Sequence, residues 1–172
     1  MKELHIALAG NPNAGKSTIF NALTGSHQHV GNWPGKTVEK KEGFFKRDDY
    51  AIKIVDLPGT YSLTAYSPEE VIARDYIINT KPDLVITVVD AANLERNLYL
   101  TVQILELGVP IVMALNMSDV ADSRGLQINP DLLSAGVQSP IVRTAASKGE
   151  GIEQLIDTIL AIAEEKNHER TH

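Results

Sequence analysis

The sequence predicts an α/β domain with a mostly parallel, six-stranded sheet and helices on both faces. Three observations predict it. Short apolar runs alternate with longer amphipathic runs along the chain. The stretch Gly10-Asn11-Pro12-Asn13-Ala14-Gly15-Lys16-Ser17 stands between the first apolar run and the first amphipathic one, where a phosphate loop belongs. Three further polar clusters, at 56–59, 116–119 and 144–148, also follow apolar runs. Ligand-bearing loops sit at the carboxyl ends of parallel strands, so all four are expected to converge on one edge of the sheet.

The elements follow in order. Residues 4–9 are apolar except for His5, as in a buried parallel strand. Residues 17–25 form a helix with Ile19, Phe20 and Leu23 inward and Gly25 at its end. Residues 26–36 have no period and read as a loop holding Gly31, Pro34 and Gly35. A charged strand over 37–47 turns at Asp48-Asp49 into a strand over 50–55, with the charged member at the edge. Ser67-Pro68-Glu69-Glu70 combines an N-cap, a first-turn proline and a capping-box glutamate, so a helix runs to Asn79. Strand 83–89 and helix 94–107 follow, the latter closed by Gly108 and Pro110. Strand 110–115, a short helix from Asn129-Pro130 to Gly136, strand 140–143 and helix 152–163 complete the set. Residues 164–172 are polar and expected to fray. The domain is therefore placed at 1–165, with 166–172 as a tail.

Composition narrows the function classes. With 43% hydrophobic and 22% charged residues, the 172-residue chain can bury one core and is not disordered. A net charge of −6 disfavours nucleic acid as the main partner. The absence of cysteine excludes disulfides and thiolate zinc sites. No apolar run approaches the roughly 18 residues that cross a membrane.

The chemistry lies in the loops. Gly15 admits close backbone approach to a phosphate, and successive N–H groups with the helix N-terminus form an anion cradle. Lys16 can reach the outer phosphates and the Ser17 hydroxyl can bind the accompanying Mg²⁺, with Thr18 next in the helix. In Asn116-Met117-Ser118-Asp119, the Asp119 carboxylate can accept from the N1–H and the exocyclic amine of guanine, whereas adenine meets it acceptor to acceptor. Asp119 after a strand also fits a helix N-cap; the phosphate loop upstream favours guanine. Met117 could stack its thioether on the base. In Asp56-Leu57-Pro58-Gly59, Asp56 suits an indirect hold on Mg²⁺ through water, and Gly59 offers an N–H to a terminal phosphate. Thr37 is the candidate second hydroxyl ligand of Mg²⁺, engaged only when the γ-phosphate is bound, so its loss would release both loops.

These boxes resemble the translation-factor-like GTPase superfamily. More narrowly, the phosphate loop, then Val30-Gly31-Asn32-Trp33-Pro34-Gly35-Lys36-Thr37, then Asp-Leu-Pro-Gly-Thr-Tyr-Ser-Leu resemble the N-terminal G domain of FeoB, the prokaryotic ferrous iron transporters. The resemblance covers essentially the whole chain. It implies a Ras-like P-loop GTPase fold, binding of GTP and GDP with Mg²⁺, and slow hydrolysis. It also implies a place on the cytoplasmic face of the cell (inner) membrane, with the rest of a membrane iron transporter as partner. The family's helical, GDI-like domain and its membrane domain are absent from this sequence. Asn13 matches the asparagine that holds K⁺ beside the phosphates in potassium-activated members; a turn residue is the other reading. Thr60 stands where Ras-type enzymes carry a water-orienting glutamine. The resemblance therefore assigns catalysis to Lys16, Asn13, Thr37 and Gly59. Ala145-Ala146, before Ser147, replaces the Ser-Ala pair frequent in the family, and the Ala146 N–H is expected to meet the guanine O6. A homo-oligomer is compatible with the sequence. His27 and His29 read as solvated loop residues rather than an iron site. Trp33 is either a docking anchor or an exposed switch residue. A ribosome-assembly or tRNA-modification GTPase, and a nucleotide switch with negligible catalysis, are the alternatives.

Overall fold

A computed structural model of the chain describes residues 1–171. The elements run β1 (Lys2–Gly10), α1 (Lys16–Thr24), β2 (Gln28–Asn32), β3 (Glu39–Arg47), β4 (Tyr50–Asp56), α2 (Pro68–Thr80), β5 (Leu84–Asp90), α3 (Leu94–Glu106), β6 (Ile111–Asn116), α4 (Ser118–Ser123), α5 (Pro130–Val137), β7 (Ile141–Arg143) and α6 (Ile152–Arg170). The sheet order is β2-β3-β4-β1-β5-β6-β7. β4, β1, β5, β6 and β7 are parallel, while β2 and β3 run antiparallel at one edge.

The sheet has seven strands where the sequence suggests six. The added member, β2, lies in the stretch expected to be a loop. Its Gln-His-Val-Gly-Asn run has no alternation and is largely exposed, because pairing with β3 alone holds it as an edge strand. The next strand starts at Glu39 rather than Thr37. Trp33 to Lys36 form a tight turn, with Lys36 N–H donating to the Trp33 carbonyl and Gly35 at φ 69°. Pro34 followed by a positive-φ glycine is the type II turn signature.

Alternation along the central strands builds two core layers. Ile6 and Leu8 of β1, with Ile52 and Ile54 of β4, pack against Ile19 and Phe20 of α1 and Leu155 and Ile159 of α6. On the other face Ala7, Ala9 and Val55 pack with Ile72 and Ile77 of α2 and Leu100 and Ile104 of α3. Each such aliphatic side chain contributes about 1.5–3 kcal/mol on burial, which anchors the strand ends that carry the polar loops.

Helix termini refine the expected boundaries. Ser67 caps α2 by accepting from Glu70 N–H at 3.2 Å, as the capping box requires. The Glu70 carboxylate instead accepts from Tyr66 N–H and the Thr64 hydroxyl, bracing the preceding loop. α5 passes through Gly136 and ends at Gln138, which takes the left-handed conformation itself. α4 was not evident from the sequence, since six residues show no helical period. The end expected to fray is helical through Arg170. Lys166 donates to the Asp83 carbonyl, and Asn167 and Glu164 bond the Tyr50 hydroxyl, which fastens the last turns to the sheet. Of the expected tail, His172 lies outside the described residues.

Candidate functional site

The phosphate loop leaves β1 at Gly10 and enters α1 at Lys16. Gly15 has φ 91°, and a Cβ there would overlap the Asn116 amide nitrogen, so both conformation and space demand glycine. Asn13 is exposed with φ 69°, Ala14 is buried, and Thr18 is exposed in the first turn of α1. Asn11, Pro12, Asn13, Gly15, Lys16 and Ser17 line a cavity of about 440 Å³ together with Gly59. The unpaired amides and dipole of the α1 N-terminus face an anion with favourable sign.

The loop after β4 is fastened beside it. Leu57 N–H donates to the Leu8 carbonyl at 2.9 Å, and Thr60 N–H to the Gly10 carbonyl at 3.2 Å. Leu57 is buried in the core, whereas Pro58 and Gly59 are partly exposed. Lys16 Nζ donates to Asp56 Oδ1, an ion pair almost out of solvent. Burial pushes the Asp56 carboxyl above its ordinary range, against the pull of the Lys16 ammonium. Asp56 and Ser17 supply the hard oxygen donors that a Mg²⁺ prefers, and the approach of Lys16 to Asp56 places them in one locality.

Asn116 joins the base end to the phosphate end. Its side chain is buried; Nδ2 donates to the Ala14 carbonyl at 2.9 Å. Its Oδ1 accepts from the Thr144 hydroxyl at 2.9 Å and from Ala146 N–H at 3.1 Å. Met117 adopts a left-handed conformation, φ 58°, that turns the chain into α4. Ser118 is structural, its hydroxyl donating to the Leu115 carbonyl. Asp119 lies 3.2 Å from Lys148 Nζ, and that hydrogen bond holds its carboxyl below the usual range. Ala145 is buried, and Ser147 is exposed in the same turn. The Ala146 N–H, the donor expected for a base oxygen, is bonded to Asn116 Oδ1 at 3.1 Å.

The four polar clusters thus converge on the carboxyl edge of the parallel strands, as expected. Gly35, Lys36 and Thr37 do not join them: they are exposed at the tip of the β2–β3 hairpin. Trp33 corrects both sequence readings, since it is only 6% exposed. It packs edge-on against Tyr76 with centroids 5.4 Å apart, and Lys40 Nζ sits 4.8 Å from its ring centroid. His27 and His29 are exposed, and no cluster of three metal-ligating side chains occurs among the described residues. A larger groove, about 930 Å³, lies at the opposite end of the strands around His5, Phe44 and Lys53, away from the phosphate loop.

A family profile for ferrous iron transport protein B matches residues 4–159. The chain belongs to the FeoB family. It is 52% identical over 176 residues to the Fe(2+) transporter FeoB of Escherichia coli K12, covering 100% of this chain and 23% of that protein. The fold is similar to the FeoB G-domain from Methanococcus jannaschii, with 51% identity, a TM-score of 0.85, and coverage of 95% of this chain and 99% of that one. A mutant of S. thermophilus NFeoB bound to GDP matches with 52% identity and a TM-score of 0.85, over 92% of this chain and 61% of that one. The fold is therefore the FeoB G-domain fold. The chain spans about a fifth of the length of the curated FeoB relatives it matches. Among the described residues, no helix is long and apolar enough to cross a membrane.

Three residues of this FeoB-family site were not singled out by sequence. Thr144 completes the Asn116 network, Lys148 pairs with Asp119, and Gln103 of α3 accepts from Leu63 N–H at 2.7 Å beyond the Asp56 loop. The cluster after the last strand marked Thr144 and Lys148 as a segment, yet no motif separates their roles. Gln103 carries no signal, because its partner is a backbone group 40 residues away.

Proposed function

We propose that this chain is the guanine-nucleotide-binding domain of a FeoB-type transporter, and that it hydrolyses GTP slowly to regulate or drive ferrous iron uptake. The observation that carries the reading is Asn116, whose one amide spans the phosphate loop and the turn after β7. Asp119 follows that junction by three residues, in the first turn of α4, which supports a base-binding role for its carboxylate. Guanine suits it, because an ionised Asp119 accepts two hydrogen bonds. The Ala146 N–H would turn from Asn116 to the base oxygen, with Ser147 exposed beside it in the same turn. The GDP-bound NFeoB relative supports the same ligand.

Lys16 and the loop amides would neutralise the phosphates. On nucleotide binding Lys16 exchanges its Asp56 partner for phosphate oxygens, and Asp56 becomes free to hold water on the metal side. Ser17 and Thr37 would be the direct Mg²⁺ ligands, Thr37 only after the β2–β3 tip folds inward. A bound Mg²⁺ supplies charge neutralisation at the phosphate oxygens. Asn13, exposed beside the cavity, offers its carboxamide oxygen to K⁺. Gly59 N–H would meet the terminal phosphate. Thr60 has no carboxamide to orient a water molecule and is 5% exposed, which supports slow intrinsic turnover. The same burial favours a second reading, a nucleotide switch with negligible catalysis. Residues 1–165 would constitute the G domain, at the cytoplasmic face of the membrane.

The test is single-turnover GTP hydrolysis in K⁺ and in Na⁺, with Asn13→Ala alongside. K⁺ is expected to accelerate the wild type, and Asn13→Ala to abolish the difference. Equal rates in both salts would remove the potassium role, and no turnover in either would leave the switch reading.

A further inference from the structure

We infer that Asn11 is a positioning residue for the turn after β4, its amide held in reserve for the backbone of that turn in the triphosphate-bound state. The inference rests on the GTPase reading above.

Asn11 is 3% exposed, and neither its Oδ1 nor its Nδ2 has a partner. Buried amides are paired in nearly all native structures, so an amide with both ends orphaned needs an explanation. It does not come from exposure to ligand. Both atoms are out of solvent, and a phosphate cannot touch them unless something moves first. A second orphan lies nearby in the sheet. The Thr87 hydroxyl is also buried without a partner, and Thr87 is the register partner of Ala9, two residues before Asn11. Trp33 Nε1 is the remaining one among the described residues, in the turn after β2, so Asn11 is the residue with both side-chain atoms unpaired.

The backbone that borders Asn11 is the turn of Gly59 and Thr60. Its backbone lies against the chain on both sides of Asn11. Thr60 N–H reaches the Gly10 carbonyl at 3.2 Å, and a Cβ at Gly59 would lie 3.4 Å from Pro12 N and Cα. The Thr60 bond is long for an N–H···O contact, and an approaching γ-phosphate competes for this turn through Gly59 N–H. When the turn shifts toward phosphate, its peptide groups lose the Gly10 contact and pass the Asn11 amide. Asn11 then donates to and accepts from them, which fixes Gly59 at the phosphate. Asn13 cannot do this, because it is exposed.

The experiment compares wild type with Asn11→Leu, of similar size but without polar atoms, and with Asn11→Ala. Melting temperature is read without nucleotide, with GDP and with a non-hydrolysable GTP analogue, beside single-turnover hydrolysis. Without nucleotide, Asn11→Leu is expected to melt at or above the wild-type temperature, since it removes an unpaired buried group. Its gain on adding the analogue is expected to shrink more than its gain on adding GDP, and hydrolysis to slow by about tenfold or more. Should the leucine variant fail to fold, Asn11→Ala carries the same comparison. A lowered melting temperature without nucleotide together with a full analogue gain would make Asn11 a structural residue and overturn the inference. Hydrolysis within about twofold of wild type would also overturn it. A wild-type chain that does not turn over GTP overturns the GTPase reading beneath; an active wild type beside unaffected variants overturns the Asn11 assignment alone.

Discussion

The Asn116 amide nitrogen donates to the Ala14 carbonyl at 2.9 Å and so ties the end of β6 to the phosphate loop that leaves β1. The same side chain accepts from Thr144 and Ala146. Three polar segments from distant parts of the chain therefore share one buried carboxamide.

Replacing Asn116 with alanine leaves the Ala14 carbonyl, the Thr144 hydroxyl and the Ala146 N–H without their partner. Each orphaned buried group costs about 1–3 kcal/mol, so urea unfolding is expected to show a loss of at least about 2 kcal/mol for Asn116→Ala. GDP affinity is expected to fall by more than about tenfold, because the phosphate loop and the base end lose their common support. An unchanged unfolding midpoint would contradict the network.

Asp119 is expected to set base choice. An asparagine there accepts from N1–H but donates where guanine also donates, whereas xanthine presents a carbonyl at that position. Asp119→Asn is therefore expected to lose guanine nucleotide by at least about 100-fold and to gain xanthine nucleotide, read by competition against a fluorescent GDP. Lys148 holds Asp119 below the usual carboxylate range, so its charge persists as pH falls toward that range. Undiminished GDP binding by the variant would show that Asp119 does not read the base, since Met117 and not Asp119 stands at the N-cap of α4.

Much of this site was legible in the sequence because phosphate binding uses backbone geometry. Gly15 must be glycine, Lys16 must follow a strand–loop junction, and both constraints leave a fixed spacing. The parallel core was legible for a similar reason: β1 is apolar on two faces and so reads as a continuous run. β2 was not legible, since an exposed edge strand makes only backbone bonds that any residue can make. Nor was the fate of Ala146 N–H, which depends on where a side chain 30 residues away points. Trp33 was misjudged because its loop looks solvated; its burial comes from Tyr76 on α2 and Lys40 on β3, which no local pattern reveals.

That burial is itself testable. Trp33 is the single tryptophan, so its fluorescence reports the turn at 33–36 alone. Tyr76→Ala removes the ring it packs against and is expected to red-shift the emission, with a stability loss of about 3 kcal/mol or more. Emission unchanged by Tyr76→Ala would mean that Trp33 is held by other contacts.

The same Tyr76 makes a pH-dependent contact at the other end of its ring. Its hydroxyl lies 2.5 Å from His5 Nε2, with the rings edge-on at 5.7 Å. Burial pushes the tyrosine hydroxyl above its ordinary range, so it stays protonated and donates to a neutral imidazole. Burial also lowers the His5 pKa, helped by Lys53 and Lys40 and opposed by Asp83 and Glu42. A histidine whose folded pKa is lowered binds its proton more readily in the unfolded chain. The unfolded state then holds more protons in the window below the ordinary histidine value, so stability rises with pH there. The contribution is fully present above about pH 6.5 and is lost as pH falls through that value toward the lowered one. The wild-type urea midpoint is expected to drop between about pH 7.5 and about pH 5.5, and His5→Gln, which cannot protonate, to flatten that slope. Parallel slopes for the two proteins would show that the imidazole charges in place without penalty, with Asp83 and Glu42 outweighing burial.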